Sequence, residues 1–326
     1  MSIRKLVSTF DGVRRLSQSV NFIFPYGNSL VETRYVRREK NKVSVYVSSH
    51  NGCIMGCKVC HLTALGETNF KHVDIETYNK QLEIVLEHAN KVNDEEEIKN
   101  RDVKVNINMM ARGEALANKN IIHRYGEVYR TFDETVKKHD YRNFRINIST
   151  IMPQTMKYRS LVETFGNYPV YLYYSLYSLN ENFRKKWFPN ALEPILALNK
   201  LKEFQMATSL PLTIHYALIK GYNDSLDDAK EIVSTLKRYN FDPLRCSLVS
   251  YNPPNLENLI KLNKINSLEK MSERTITEEA DEDRKQLYLE ILKEVCKEPK
   301  EMSPSRKIER VGSDVAASCG MFTNIY

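Results

Sequence analysis

Cys53, Cys57 and Cys60 place three thiols in eight residues, spaced CxxxCxxC. A tight loop with that spacing turns all three sulfurs to one side, where they can close on one inorganic centre. The chain holds only six cysteines, and chance would give this spacing on the order of once in several hundred such sequences. Two metals compete for the loop. Zinc would require a fourth protein ligand, and His61 is the only nearby one, but adjacent residues Cys60 and His61 rarely both reach one tetrahedral ion. An iron–sulfur cluster on three thiolates leaves one iron open, and an open iron can bind a cofactor. Unmetallated thiols are the third reading.

The loop needs a rigid mount, and the residues around it supply one. Val43–Ser49 is apolar and β-rich, so the thiols follow a strand end, the usual ligand position in α/β enzymes. Further strands are expected at Val103–Met110, Phe144–Ser149, Val170–Ser175, Leu212–Leu218 and Cys246–Tyr251. Between them lie helical patterns. Asp74 can cap a helix whose Ile75, Tyr78, Leu82, Val85 and Ala89 share one face. Others are expected near Ile121–Lys138, at Leu226–Tyr239, and at Arg284–Cys296 with Leu287, Ile291, Leu292 and Val295 inward. Six strands alternating with helices imply parallel pairing and a partial (β/α)6 barrel with its site at the strand C-terminal ends.

Residues 1–42 form a basic extension with turn signals at Asp11-Gly12 and Pro25-Tyr-Gly27, residues 43–255 the barrel, and 256–326 a C-terminal region. Within that region, 256–283 is charged and weakly periodic and reads as an insertion or loop. The net charge is +7, and residues 1–50 carry nine Arg and Lys against three carboxylates, which accounts for nearly all of it. A concentrated basic face suits phosphates and makes a nucleic acid partner plausible; a solvated basic surface is the alternative. Clustered cysteines point to reduced thiols in a cytosol-like compartment rather than a disulfide framework, and no apolar run approaches the length of a membrane span.

CxxxCxxC after a first strand resembles the radical S-adenosylmethionine (SAM) superfamily. Further landmarks resemble its RlmN/Cfr family, which methylates an adenine of ribosomal, and for some members transfer, RNA. Asp11-Gly-Val-Arg14 is similar to that family's DGxR hairpin, and Val47-Ser-Ser-His-Asn-Gly-Cys53 to its approach to the cluster. Gly113-Glu114 follows the second barrel strand as the family's GEP motif does. Ser149-Thr150, Ser175-Leu176-Tyr177 and Tyr251-Asn252-Pro253 fall at later strand ends, and Gly312–Gly320 is similar to the C-terminal GxDIxAACG. The resemblance covers nearly the whole chain from Asp11.

The resemblance implies a [4Fe–4S] cluster on Cys53, Cys57 and Cys60, SAM as cofactor, RNA as substrate and a one-electron donor such as flavodoxin or ferredoxin. Glu114 would accept from the SAM ammonium, with Gly113, Ser149, Ser175, Leu176, Tyr177 and Asn252 completing the SAM site. Read without the family, these are turn and cap residues. Cys319 corresponds to the thiol that SAM first methylates; the radical from a second SAM then takes hydrogen from that methyl group, and the carbon adds to adenine. A cysteine among small residues is otherwise a buried filler. Glu32, fourteen residues before Tyr46, lies near where the family carries a carboxylate proposed to take the ring proton.

The sequence departs from the family at Tyr46, where a second cysteine would release the methylated RNA by forming a disulfide; a phenol does no thiol–disulfide exchange. Val59, Ala115 and Met321 are smaller departures, and the family's larger N-terminal helical domain is absent or reduced. Cys246, at the start of its strand, is expected at the far end of the barrel, and Cys296 is expected to be buried on a late helix. Two rivals follow: a diverged radical SAM enzyme acting on a nucleotide, peptide or other small substrate, and a non-catalytic RNA-binding relative.

Overall fold

Strand β4 (Lys42–Val47) shows how the barrel is built. Val43, Val45 and Val47 are fully buried in the core, while Lys42, Ser44 and Tyr46 point the other way into a cavity. The alternation repeats in β5 (Lys104–Met109), with Val105 and Ile107 in the core and Lys104, Asn106 and Asn108 on the cavity. It repeats again in β6 (Asn143–Thr150), where Ile146 and Ile148 oppose Arg145, Asn147 and Ser149. A period of two thus gives each strand an apolar face for helices and a polar face for a ligand.

The computed structural model describes residues 3–8, 18–253, 277–298, 304–308 and 321–322. Its strands form one ten-stranded sheet in sequence order. From β4 onward every pairing is parallel, through β7 (Tyr171–Ser175), β8 (Leu212–Tyr216) and β9 (Leu244–Val249) to β10 (Arg306–Ile308). All six strands expected from sequence are present; β10, only three residues long, is an addition. The sheet does not close, so the barrel is partial. On its other side β1 (Arg4–Val7), β2 (Val20–Tyr26) and β3 (Ser29–Glu39) continue the sheet antiparallel onto β4, with the β2–β3 turn at Gly27-Asn28. The Asp11–Arg14 motif lies outside the described residues.

Helices cover the apolar face. A short α1 (His61–Ala64) follows the cysteine loop. Asp74 caps α2 (Ile75–Glu95) by accepting from Thr77 N–H at 2.7 Å, an interaction that stabilises a helix start by about 1 kcal/mol. Its Tyr78, Leu82, Val85, Leu86 and Ala89 are all buried in the core, each large side chain contributing about 1.5–3 kcal/mol. Then come α3 (Lys119–Lys138), α4 (Leu161–Phe165), α5 (Glu181–Trp187), α6 (Pro194–Thr208), α7 (Leu226–Tyr239) and α8 (Glu282–Lys293). No helix among the described residues is long and apolar enough to cross a membrane.

One expected core residue faces outward. Leu287 on α8 is 53% exposed, whereas Lys285, Tyr288, Leu289 and Leu292 are buried. The inward stripe follows 3.6-residue spacing through Lys285, whose ammonium pairs with Glu279 at 3.2 Å; choosing by apolarity alone selects the wrong side of the turn. The stretch read as a loop at 256–283 is described only from Thr277, where Glu279 bridges Ile219 before α8 begins.

Candidate active site

The sheet's polar face encloses a cavity of about 610 Å³. Cys53, Cys57 and Cys60 all line it. Their loop is fixed from several directions: Cys53 N–H donates to the Glu67 carbonyl at 2.9 Å, Lys58 N–H to Trp187 at 2.8 Å and Cys60 N–H to Cys57 at 3.1 Å. Asn190 Nδ2 donates to the carbonyls of Ile54 and Met55 at 3.1 and 3.3 Å. The reversal between the first two cysteines uses Gly56 at φ +66°, a left-handed conformation that favours glycine.

The thiols make a donor set that suits a cationic inorganic centre. Burial and then Cys60 push the Cys53 thiol up to about 12; burial and then Cys53 and Cys60 raise Cys57 well above the ordinary thiol range. Burial and the neighbouring sulfurs thus disfavour ionisation of each thiol, and a bound cationic centre would offset both. A single zinc ion fits poorly. His61 Nε2, the nearby candidate for a fourth ligand, is spent on the Asn252 carbonyl at 3.0 Å. Three thiols lining one cavity are a donor set that would suit a larger cluster held by three thiolates.

Glu114 lies on the same wall, 6% exposed. Its Oε1 accepts from Leu116 N–H and its Oε2 from Ile151 N–H, both at 3.1 Å. Burial drives its carboxyl up to about 7, against the hydrogen bonds from Thr150, Ile151 and Leu116 that pull it down. No cation is paired with it among the described residues, so it awaits one. Gly113 precedes it at φ +91°, where a Cβ would stand 2.6 Å from both His50 Nδ1 and Ser49 Oγ. That close approach sets the Glu114 backbone against the strand end.

Ser149, at the end of β6, and Ser175, at the end of β7, face each other across 3.4 Å (Oγ to Oγ) and both line the cavity. Asn252, beyond β9, lines it as well, and so does Tyr177, held at φ +59°. Such strain persists where surroundings enforce it: Asn223 Nδ2 donates to the Tyr177 carbonyl at 3.0 Å and its ring packs on Phe188 at 4.6 Å. Leu176, between them in sequence, is not on the cavity. It points into the hydrophobic core, as alternation at a strand end requires.

Glu32 is also off the cavity wall. It is 0% exposed, with Oε1 accepting from Arg112 Nε at 2.8 Å and Oε2 from Arg34 Nη2 at 3.2 Å and Asn21 Nδ2 at 3.0 Å. A carboxylate so engaged has no oxygen directed at a substrate. The longer Arg34, two residues on and on the same strand face, reaches the cavity instead. Neither Arg34 nor Arg112 stood out in the sequence, because their roles depend on contacts with residues far along the chain.

Cys319 lies outside the described residues. Met321 and Phe322 do not: Arg34 Nη2 donates to the Met321 carbonyl at 2.7 Å, and Phe322 lines the cavity. Tyr46 occupies the wall on β4, hydrogen-bonded through the strand between Arg34 and Asn108 positions. Among the described residues no thiol other than the three in the loop faces the cavity. Cys246 is buried at the start of β9 and hydrogen-bonded to Cys296.

Comparison with known proteins agrees with this geometry. No protein-family model matches the chain. Among solved structures, a radical SAM methyltransferase from Sphaerobacter thermophilus shares the fold, with a TM-score of 0.69 at 21% identity over 98% of this chain and 79% of that one. A probable dual-specificity RNA methyltransferase RlmN from Clostridium novyi is 25% identical over 326 residues, covering 99% of this chain and 80% of the relative. The ribosomal RNA large subunit methyltransferase Cfr of Staphylococcus aureus is 31% identical over 69% of this chain and 60% of its own length. The chain is a relative of the RlmN and Cfr methyltransferases, alike over two thirds of its length or more.

The match spans about three fifths of the staphylococcal relative's length. The basic N-terminal stretch is also not a simple outer face. Arg34 and Arg37 are buried, and Arg34, Arg38 and Lys42 turn toward the cavity.

Proposed function

We propose that this protein is a radical SAM methyltransferase acting on an adenine ring carbon of ribosomal or transfer RNA, with Cys319 as methyl carrier. The observation that carries the reading is the meeting of Cys53, Cys57, Cys60, Glu114, Ser149 and Ser175 on one cavity wall. Cys53, Cys57 and Cys60 would hold a [4Fe–4S] cluster. When bound, the cluster and SAM, supplied with an electron by a flavodoxin or ferredoxin, provide a carbon radical.

The chain's own groups do the positioning. Glu114, buried and without a cation among the described residues, would receive the SAM ammonium as a charge-assisted acceptor. Gly113 would keep the strand end open for it. Ser149 and Ser175 would donate to the carboxylate and ribose, and Asn252 and Tyr177 would serve the adenine. Glu32 acts as a positioning residue that fixes Arg34 and Arg112, rather than as a base. Arg34 in turn holds the chain two residues beyond Cys319, a reach of at most about 7 Å between α-carbons. Tyr46 stands where a resolving thiol is expected from the family, so release of the methylated RNA uses a thiol from outside the cavity.

Anaerobically reconstituted protein, incubated with reductant, methyl-labelled SAM and ribosomal or transfer RNA, tests the proposal. It predicts 5′-deoxyadenosine and label on adenine. Absence of both with either RNA overturns it; 5′-deoxyadenosine formed with label on neither RNA would point to a small-molecule substrate.

A further inference from the structure

The cavity has a second end. At the N-terminal side of the strands, opposite the thiols, Lys42, Lys104, Arg145 and Arg245 line it together around Tyr173 and His215. Four residues of β4 separate Lys42 from Tyr46, roughly 13 Å of strand, so this group is distinct from the SAM wall. The side chains converge: Arg145 Nη2 donates to Tyr173 Oη at 2.7 Å, and the Arg245 guanidinium lies 5.4 Å from the Tyr173 ring centre. His215 packs 4.9 Å from the same ring. Arg306 on β10 adds a further cation to the lining.

Among the described residues the carboxylates on the lining are Glu39 and Glu114, fewer than the cations. Lys42 pairs with Glu39, but no carboxylate among the described residues pairs with Lys104, Arg145, Arg245 or Arg306. Arg245 Nε is buried and has no hydrogen-bond partner, which costs stability unless something fills it. Mutual repulsion is visible in the ammonium of Lys104, whose pKa is lowered by burial first, then by Arg145 and Lys42. Burial and then Arg245 hold His215 down to about 3, so the imidazole adds no charge of its own. Cations gathered inside a cavity, one with an unused donor, form an arrangement complementary to a multiply charged anion.

We propose that the N-terminal mouth of the barrel is a second ligand site, for a phosphate-bearing anion held by Lys104, Arg145 and Arg245. The phosphate belongs either to a free polyphosphate or nucleotide, or to the backbone of a bound RNA. This inference does not rest on the methyltransferase reading, because it needs neither cluster nor SAM.

Calorimetric titration of the full-length protein with inorganic tripolyphosphate, and separately with a short single-stranded RNA, tests it. Tripolyphosphate should bind one per chain, undisplaced by SAM, and Arg245→Gln and Lys104→Gln should each weaken it at least tenfold. Lys137→Gln, which removes one charge from the exposed face of α3, should leave it within twofold. If RNA weakens in parallel and competes with tripolyphosphate, the phosphate is the RNA backbone's; if RNA is unaffected, the ligand is free. A thermal-shift measurement confirms that each variant is folded, and Arg245→Lys, which keeps the charge, should retain most of the affinity. No binding of either probe, or binding unmoved by both folded variants, overturns the proposal.

Discussion

Arg34 Nη2 hydrogen-bonds the Met321 carbonyl at 2.7 Å, joining β3 to a residue 287 positions later. The guanidinium also lies 5.1 Å from the centre of the Phe322 ring, and it pairs with the buried Glu32 at 3.2 Å. One arginine therefore ties the end of the chain to the wall of the cavity, and one carboxylate holds that arginine in place. Unhooking the chain end should matter more for methyl transfer than for SAM cleavage. Arg34→Gln should lower RNA methylation by about a hundredfold, the scale of a misplaced reacting group, while 5′-deoxyadenosine formation changes much less. Equal losses in both assays would argue against a docking role.

Glu32 compensates two buried guanidiniums, and its removal takes the nearer carboxylate from Arg112, which keeps a longer contact with Glu67 at 3.7 Å, and the 3.2 Å ion pair from Arg34. Glu32→Ala should destabilise the fold by about 3–5 kcal/mol, as expected when one partner of a buried ion pair is lost. Chemical denaturation measures this directly. A loss below about 1 kcal/mol, near the scale of an exposed pair, would mean the network is far more hydrated than its burial indicates.

Glu114 gives a pH signature in the cluster-free protein. Its folded-state value of about 7 exceeds the ordinary 4.5, so the folded state keeps a proton that the unfolded state gives up. The resulting stability is fully present below about 4.5 and is lost as pH rises through about 7. His50 and His215, each held down to about 3, run the opposite way, losing stability as pH falls below about 6.5. The clean observable is a difference. Relative to wild type, Glu114→Gln should gain up to about 3 kcal/mol between pH 4.5 and 8. A flat difference would mean that the carboxylate is already ionised in the fold.

Gly113 tolerates no side chain. Its φ of +91° and the 2.6 Å approach of His50 and Ser49 to a Cβ position leave no room. Gly113→Ala should cost about 1–3 kcal/mol, the range for enforced backbone strain, and weaken SAM binding through displacement of Glu114. Unchanged SAM affinity would separate this turn from the cofactor site.

Much of the architecture was legible locally. Alternation in Val43–Val47, Lys104–Met109 and Asn143–Thr150 is strong enough to mark both faces of each strand, and all six barrel strands follow from it. The thiol loop and Gly113-Glu114 were legible because each is a contiguous motif. What escaped was set by distant partners. Leu287 faces out because Lys285 finds Glu279 across a loop, Leu176 faces the core through its strand register, and Glu32 is claimed by an arginine 80 residues away. The basic mouth escaped for the same reason: Lys42, Lys104, Arg145 and Arg245 come from four strands and are neighbours only in the sheet.

Tyr46 on the cavity wall, with no other described thiol facing it beyond the loop, bears on turnover. The wild-type protein should give no more than one methylated RNA per chain unless an external thiol is added. Tyr46→Cys should remove that requirement for release of the first product, as the introduced thiol forms a disulfide with Cys319, and repeated turnover then needs a dithiol reductant to reopen that disulfide. Multiple turnovers by the wild type without thiol would show that release follows a different chemistry.

The central claim is that a radical centre held by Cys53, Cys57 and Cys60 serves a methyl carrier at Cys319. Mass analysis of the Cys319 peptide, from protein isolated anaerobically with its cluster and exposed to methyl-labelled SAM, tests that claim most directly. The account predicts one labelled methyl group on Cys319 in wild-type protein, and none after Cys53→Ala, which removes a cluster ligand. An unmodified Cys319 in cluster-loaded wild type would contradict it.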